Sequence, residues 1–159
     1  MSGPYNYLHN KDINSYTFIT VHGIEYFVYL ADGSHYFEKY PQFAAYVIMF
    51  GFYTNPVKNI PADKNVRITI TQIITNYFIA NEDKILLFVC EQGDGKQFFR
   101  MKKFNGWFTL AGNLKIVKTD LEIPFDNGFT YLSVLYHKRN IHANEIEKAL
   151  QNFEQDFLK

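Results

Sequence analysis

The run Ile85 to Cys90 (I-L-L-F-V-C) holds no polar side chain. It is far shorter than the roughly 20 residues a bilayer-crossing helix needs. Lys84 to Glu91 therefore reads as a strand buried on both faces, which the chain around it has to cover.

The residues before this strand supply more strands and a helix. Tyr16, Phe18 and Thr20 alternate with Thr17, Ile19 and Val21, and Ile24 to Leu30 follows directly after His22-Gly23, the pattern of a hairpin around that glycine. Asp32-Gly33 is the strongest short turn signal, with Ser34 to Glu38 as its return strand. Ala44 to Tyr53 is a long apolar strand after Pro41, with Gly51 marking a bulge. Three or four antiparallel strands in a meander are expected. The period then changes. Val66, Ile70, Ile73, Ile74, Tyr77 and Phe78 share one helical face, with Asp63 as N-cap, although Ile68, Thr69, Thr71 and Thr75 are strand formers.

After the apolar strand a further helix, roughly 95–108, is expected behind Gly93-Asp94-Gly95. Lys115 to Phe125 and Phe129 to His137 flank Asp126-Asn127-Gly128 as a hairpin, with Pro124 at an edge or strand end. Asn144 and Glu147 have capping-box spacing ahead of a helix whose apolar face is Ile146, Ala149, Leu150, Phe153 and Phe157. The order is ββββ-α-β-α-ββ-α: an α+β fold, with residues 1–14 as an N-terminal segment and 15–159 as a single domain.

Composition narrows the function. The 29 aromatic side chains (12 Tyr, 16 Phe and 1 Trp among 159 residues) furnish a sizeable core. Sixteen basic residues balance 16 acidic ones, so no global field recruits nucleic acid or an anionic membrane. The lone Cys90 excludes an internal disulfide and a multi-cysteine zinc site, and reads as a core thiol. His9, His22, His35, His137 and His142 lack metal-ligand spacing, so no metal or cofactor is expected and the histidines read as surface or strand-end residues. Met1 to Asn14 has no charged start followed by an apolar run, so no secretory signal is expected, and a reducing cytoplasm is the simplest compartment.

Charge is locally uneven. Gly95 to Lys118 holds six basic residues and no acid, whereas Asp120 to Lys159 holds seven acids against four bases. On the expected helix Phe98, Met101, Phe104 and Phe108 face the core, while Lys96, Arg100 and Lys103 share another side with Trp107. One reading makes Gly95, Lys96, Arg100, Lys103 and Trp107 a site for a nucleotide phosphate or nucleic acid, with the indole stacking a base. It predicts binding that weakens with salt and is lost in a Lys96→Glu/Arg100→Glu variant. The other makes the cations a solvated face with Trp107 packed over their stems. The turn departs from the phosphate-loop pattern, and Asp94 repels an anion there. Glu91 and Asp94 flank the same strand end, the basis of a third reading as a phosphoesterase.

The stretch Asp94-Gly95-Lys96-Gln97-x-x-Arg100-x-x-x-Phe104-x-x-Trp107-Phe108, with the Pro4-Tyr5-Asn6-Tyr7 opening, resembles a family of small bacterial proteins that share a domain of unknown function. The resemblance implies no catalytic residues. With balanced charge, abundant aromatics and no catalytic pattern, the expectation is a non-catalytic cytoplasmic protein that binds a protein partner or itself. Tyr5, Tyr7, Tyr26, Tyr29 and Tyr36 are candidates for its exposed surface.

Overall fold

A computed structural model describes residues 3–56, 60–90, 115–125 and 128–157. Within these residues seven strands form one mixed sheet: β1 (Leu8–Asn10), β2 (Ser15–Ile19), β3 (Glu25–Asp32), β4 (Val47–Asn55), β5 (Ile85–Cys90), β6 (Ile116–Phe125) and β7 (Gly128–His137), in the spatial order β1-β2-β3-β4-β5-β7-β6. Among the described residues two helices accompany it, α1 (Lys64–Ala80) and α2 (Ala143–Phe157). The first four strands form an antiparallel meander, as expected; three of them, β2, β3 and β4, fall on expected strands, while β1 comes from the N-terminal segment. The one parallel pairing among the described residues joins β4 to β5, and α1 lies between them in sequence as the crossover that parallel neighbours need.

β5 explains the architecture. Leu86 and Phe88 point into a core with α1, while Ile85 and Leu87 point into a second core with α2. The expected two-faced burial holds: each of these four side chains is buried. On the first side Val66, Ile70, Ile73, Ile74 and Phe78 of α1 pack on Phe18, Tyr26, Val28, Leu30 and Phe50 of the meander. Burying side chains of this size contributes about 1.5–3 kcal/mol each. On the second side Ile146, Ala149, Leu150 and Phe153 of α2 pack on β5 and β7, joined by Phe37 and Phe43 from the connection before β4.

Asp63 caps α1 as the sequence predicts, accepting the Asn65 N–H at 2.9 Å through one carboxylate oxygen. The other oxygen accepts the Tyr5 hydroxyl at 2.6 Å, and the Tyr5 N–H donates to Thr69 Oγ1 at 2.7 Å. The N-terminal segment is thereby fastened along α1, and within it Leu8–Asn10 adds an edge strand to the sheet. The β2–β3 hairpin turns at Gly23 (φ 74°), its tip held by Thr20 Oγ1, which accepts the His22 and Ile24 N–H groups.

Several local readings are corrected. Ser34–Phe37 is a 3-10 turn and not a return strand. The Asp32 carboxylate accepts both the Ser34 N–H (3.1 Å) and the Ser34 hydroxyl (2.9 Å), which bends the chain out of the sheet instead of reversing it in a tight hairpin. Those two hydrogen bonds also hold the Asp32 carboxyl below its ordinary pKa. A second 3-10 turn, Ala44–Tyr46, precedes β4, which starts at Val47 and not at Ala44. Gly51 pairs with Tyr29 in regular register, without a bulge. The start of α2 is set upstream of Asn144: the Asn140 side chain accepts the His142 N–H at 2.8 Å, and the His142 carbonyl accepts the Ile146 N–H at 2.9 Å. The hairpin of β6 and β7 stands as expected, with Pro124 in the edge strand β6. The predicted helix over 95–108 lies outside the described residues.

Candidate interaction face

The two faces of the meander differ in what covers them. Its inner face carries a run of rings: Tyr5 stacks on Phe18, Phe18 on Tyr26 at 5.0 Å and 1°, and Tyr26 leans on Phe52. α1 covers this face. Burial raises the phenol pKa values of Tyr16, Tyr26 and Tyr77, so these hydroxyls stay neutral well above physiological pH and serve as packing groups.

The outer face is built by register. Leu8 pairs with Thr17, Thr17 with Phe27 and Phe27 with Tyr53, so one rung of side chains crosses all four strands. On one side of it runs the rung Asn10, Ser15, Tyr29, Gly51, and on the other Ile19, Glu25, Asn55. Phe27 and Tyr53 stack across the strands at 4.8 Å and 13°. The Tyr29 ring lies against Gly51, where a Cβ would overlap its hydroxyl end. Glycine at that position lets the ring lie flat on the sheet.

Among the described residues α2 and the two 3-10 turns cover this side at β5, β6, β7 and the beginning of β4. Further along, the apolar side chains meet solvent: Leu8 is 77% exposed, Ile19 61% and Tyr53 57%. Single exposed apolar residues need no explanation, but these share one face with Phe27 and Tyr29. Of the eleven residues on the three rungs, Glu25 alone is charged. Aromatic enrichment with loss of charge is the composition of the buried centre of a protein interface.

The two sheet edges differ from this face. β1 is three residues long, and β6 carries Lys118, Asp120 and Glu122. Asp120 pairs with Lys118 and accepts the Ser133 hydroxyl at 2.7 Å. Short and charged strands are how sheet edges resist pairing with other chains.

Ionisable side chains gather elsewhere, where α1 ends and α2 begins. His137 is buried, and its Nδ1 accepts the Arg139 N–H at 3.1 Å, which leaves the proton on Nε2, 3.6 Å from Glu82 Oε1. Arg139 reaches the same oxygen at 3.1 Å, and Asn140 donates to the Asp83 carbonyl at 3.4 Å. These contacts tie the β7–α2 corner to the α1–β5 turn. The other histidines are at the surface or against a ring: His9 stacks on Tyr16 and His142 leans on Tyr46. Among the described residues no group of three or more His, Cys, Asp or Glu is placed to hold a metal ion.

Gly95, Lys96, Arg100, Lys103 and Trp107, the anion site expected from sequence, lie outside the described residues, as do Glu91 and Asp94. Of the tyrosines expected at the surface, Tyr26 is buried on the inner face, because strand alternation puts it with Val28 and Leu30 in the core shared with α1. Tyr5, Tyr7, Tyr29 and Tyr36 are partly buried. Sequence reasoning missed Leu8, Ile19 and Tyr53. Ile19 already stood among the alternating residues of the second strand, and its partners follow only once the register is known.

Among the described residues no helix is long and apolar enough to cross a membrane. No curated protein and no solved structure matches the chain. A family of unknown function, DUF6169, matches residues 62–155, from just before α1 to near the end of α2, and this span is more than half of the chain. The chain belongs to the DUF6169 family.

Proposed function

We propose that this protein is a non-catalytic bacterial cytoplasmic interaction protein whose binding surface is the outer face of β1–β4. One observation carries the reading: the central rung Leu8, Thr17, Phe27, Tyr53 crosses four strands without a charge, and its two ends are more than half exposed. A rigid sheet is a suitable platform for such a surface, since little side-chain or loop ordering remains to oppose association. The same face is poorly suited to nucleic acid, because its rungs hold no Lys or Arg to meet phosphate.

The test places a photo-crosslinking amino acid at Tyr53 in growing cells, with Gln72, exposed on α1, as the control position. A discrete heavier adduct at position 53 and none at position 72 is the expected result. Equal labelling at the two positions, or none at either, rejects the reading.

A further inference from the structure

We infer that the occupant of this face is a second copy of the chain, an inference that rests on the reading above. Charge argues for it first. A surface that holds Glu25 as its one charge is complementary to itself, since two copies meet without facing rows of like charge. An acidic or basic partner would find no counter-charge on the three rungs.

Symmetry resolves the remaining charge. In a two-fold contact each surface meets its own image. With the axis along the central rung, Thr17, Phe27 and Tyr53 stack on their counterparts, and the rung of Ile19 and Glu25 meets the rung of Ser15 and Tyr29. The two Glu25 residues then sit on opposite sides of the axis. Glu25 is two positions from Phe27 on β3, so four residues of strand, about 14 Å at 3.4 Å per residue, separate them along the strand direction. That exceeds the screening length of about 8 Å at physiological salt.

Area sets the strength. Strands about 4.8 Å apart, with the three residues of β1 and the five-residue stretches of β2, β3 and β4 that hold the rungs, give roughly 300 Å² of flat face per copy. Two copies bury roughly 600 Å² before side-chain relief is counted, below the 1,200–2,000 Å² of standard stable interfaces. The pair is therefore reversible, with a dissociation constant in the micromolar range or weaker. The edges offer no competing route, because β1 is short and β6 is charged.

Sedimentation velocity of the untagged full chain from about 5 to about 500 μM tests the inference, a range that brackets micromolar association. The sedimentation coefficient should rise toward that of a dimer. Tyr53→Lys, which puts two like charges across the axis, should weaken the pair at least about tenfold. An equimolar mixture of Tyr53→Lys and Tyr53→Glu proteins should restore it, because the facing charges are then opposite. Ile19→Lys is the second variant should the first misfold, as judged by its far-ultraviolet circular dichroism. A wild-type chain that stays monomeric throughout, or a Tyr53→Lys protein that associates like wild type, overturns the second copy as occupant. A monomer in solution that is crosslinked through position 53 to a different protein in cells ends this inference and leaves the interaction reading standing. A monomer with no adduct ends both.

Discussion

Leu86 and Leu87 are neighbours on β5, yet they enter different cores, Leu86 with α1 and Leu87 with α2. Both are buried to within 1% of complete enclosure. Truncating either to alanine removes three buried carbons and leaves a cavity that ring-rich surroundings fill poorly, at a cost of about 2–5 kcal/mol. Against a total stability of about 5–15 kcal/mol, each variant remains folded. With a urea slope of about 2 kcal/mol/M, a loss of 3 kcal/mol lowers the unfolding midpoint by about 1.5 M. Circular dichroism at increasing urea reads this directly. Hydrogen exchange adds the location: Leu86→Ala should speed exchange chiefly in α1, and Leu87→Ala chiefly in α2. A loss below about 1 kcal/mol at either position would mean that one side of β5 is not packed, and the two-core account would fail.

Two glycines separate crowding from backbone strain. A Cβ at Gly33 meets Val47 Cγ1 at 3.0 Å and the Met49 nitrogen at 3.2 Å, so Gly33→Ala and Gly33→Asn should both lose about 1–3 kcal/mol of stability, read as a lower urea midpoint. Gly23 has open space but φ +74°, so Gly23→Ala costs about 1 kcal/mol and Gly23→Asn much less, since Asn tolerates that region; equal losses for the two Gly23 variants would contradict this. Burial, with smaller contributions from Tyr16 and Asp83, pushes the Tyr77 phenol up to about 12 from 10.0. Because the folded state holds this proton longer than the unfolded chain, the contribution is complete below pH 10 and disappears as pH climbs to about 12. Tyr77→Phe should therefore lose less stability than wild type between urea titrations run at pH 9 and at pH 11; parallel losses would remove Tyr77 as a source.

Features set by local chemistry were legible in the sequence. The α1 stripe and its Asp63 cap, the two-faced strand at Ile85–Cys90 and the β6–β7 hairpin each depend on residues close in sequence. The errors came where one local signal has two outcomes. Asp-Gly reverses a chain when the glycine takes positive φ, but at Gly33 φ is −113° and the aspartate side chain initiates a 3-10 turn. Likewise the glycine at position 51 answers to Tyr29, its partner on the next strand, and not to a bulge in its own. The outer face was hidden for a related reason. Its central rung draws residues 8, 17, 27 and 53 together through three successive registers, and no window of sequence contains them all.

The stretch that defines the family begins just ahead of α1 and leaves out the meander. Yet most of the oily flank of α1 leans on that meander, on Phe18, Tyr26, Val28, Leu30 and Phe50. Cut away the first 61 residues and the remainder keeps β5, β7 and β6 with a helix whose lining has been taken off. The matched stretch thus carries a helix that is only half roofed by itself, and in this chain the meander is the rest of its roof.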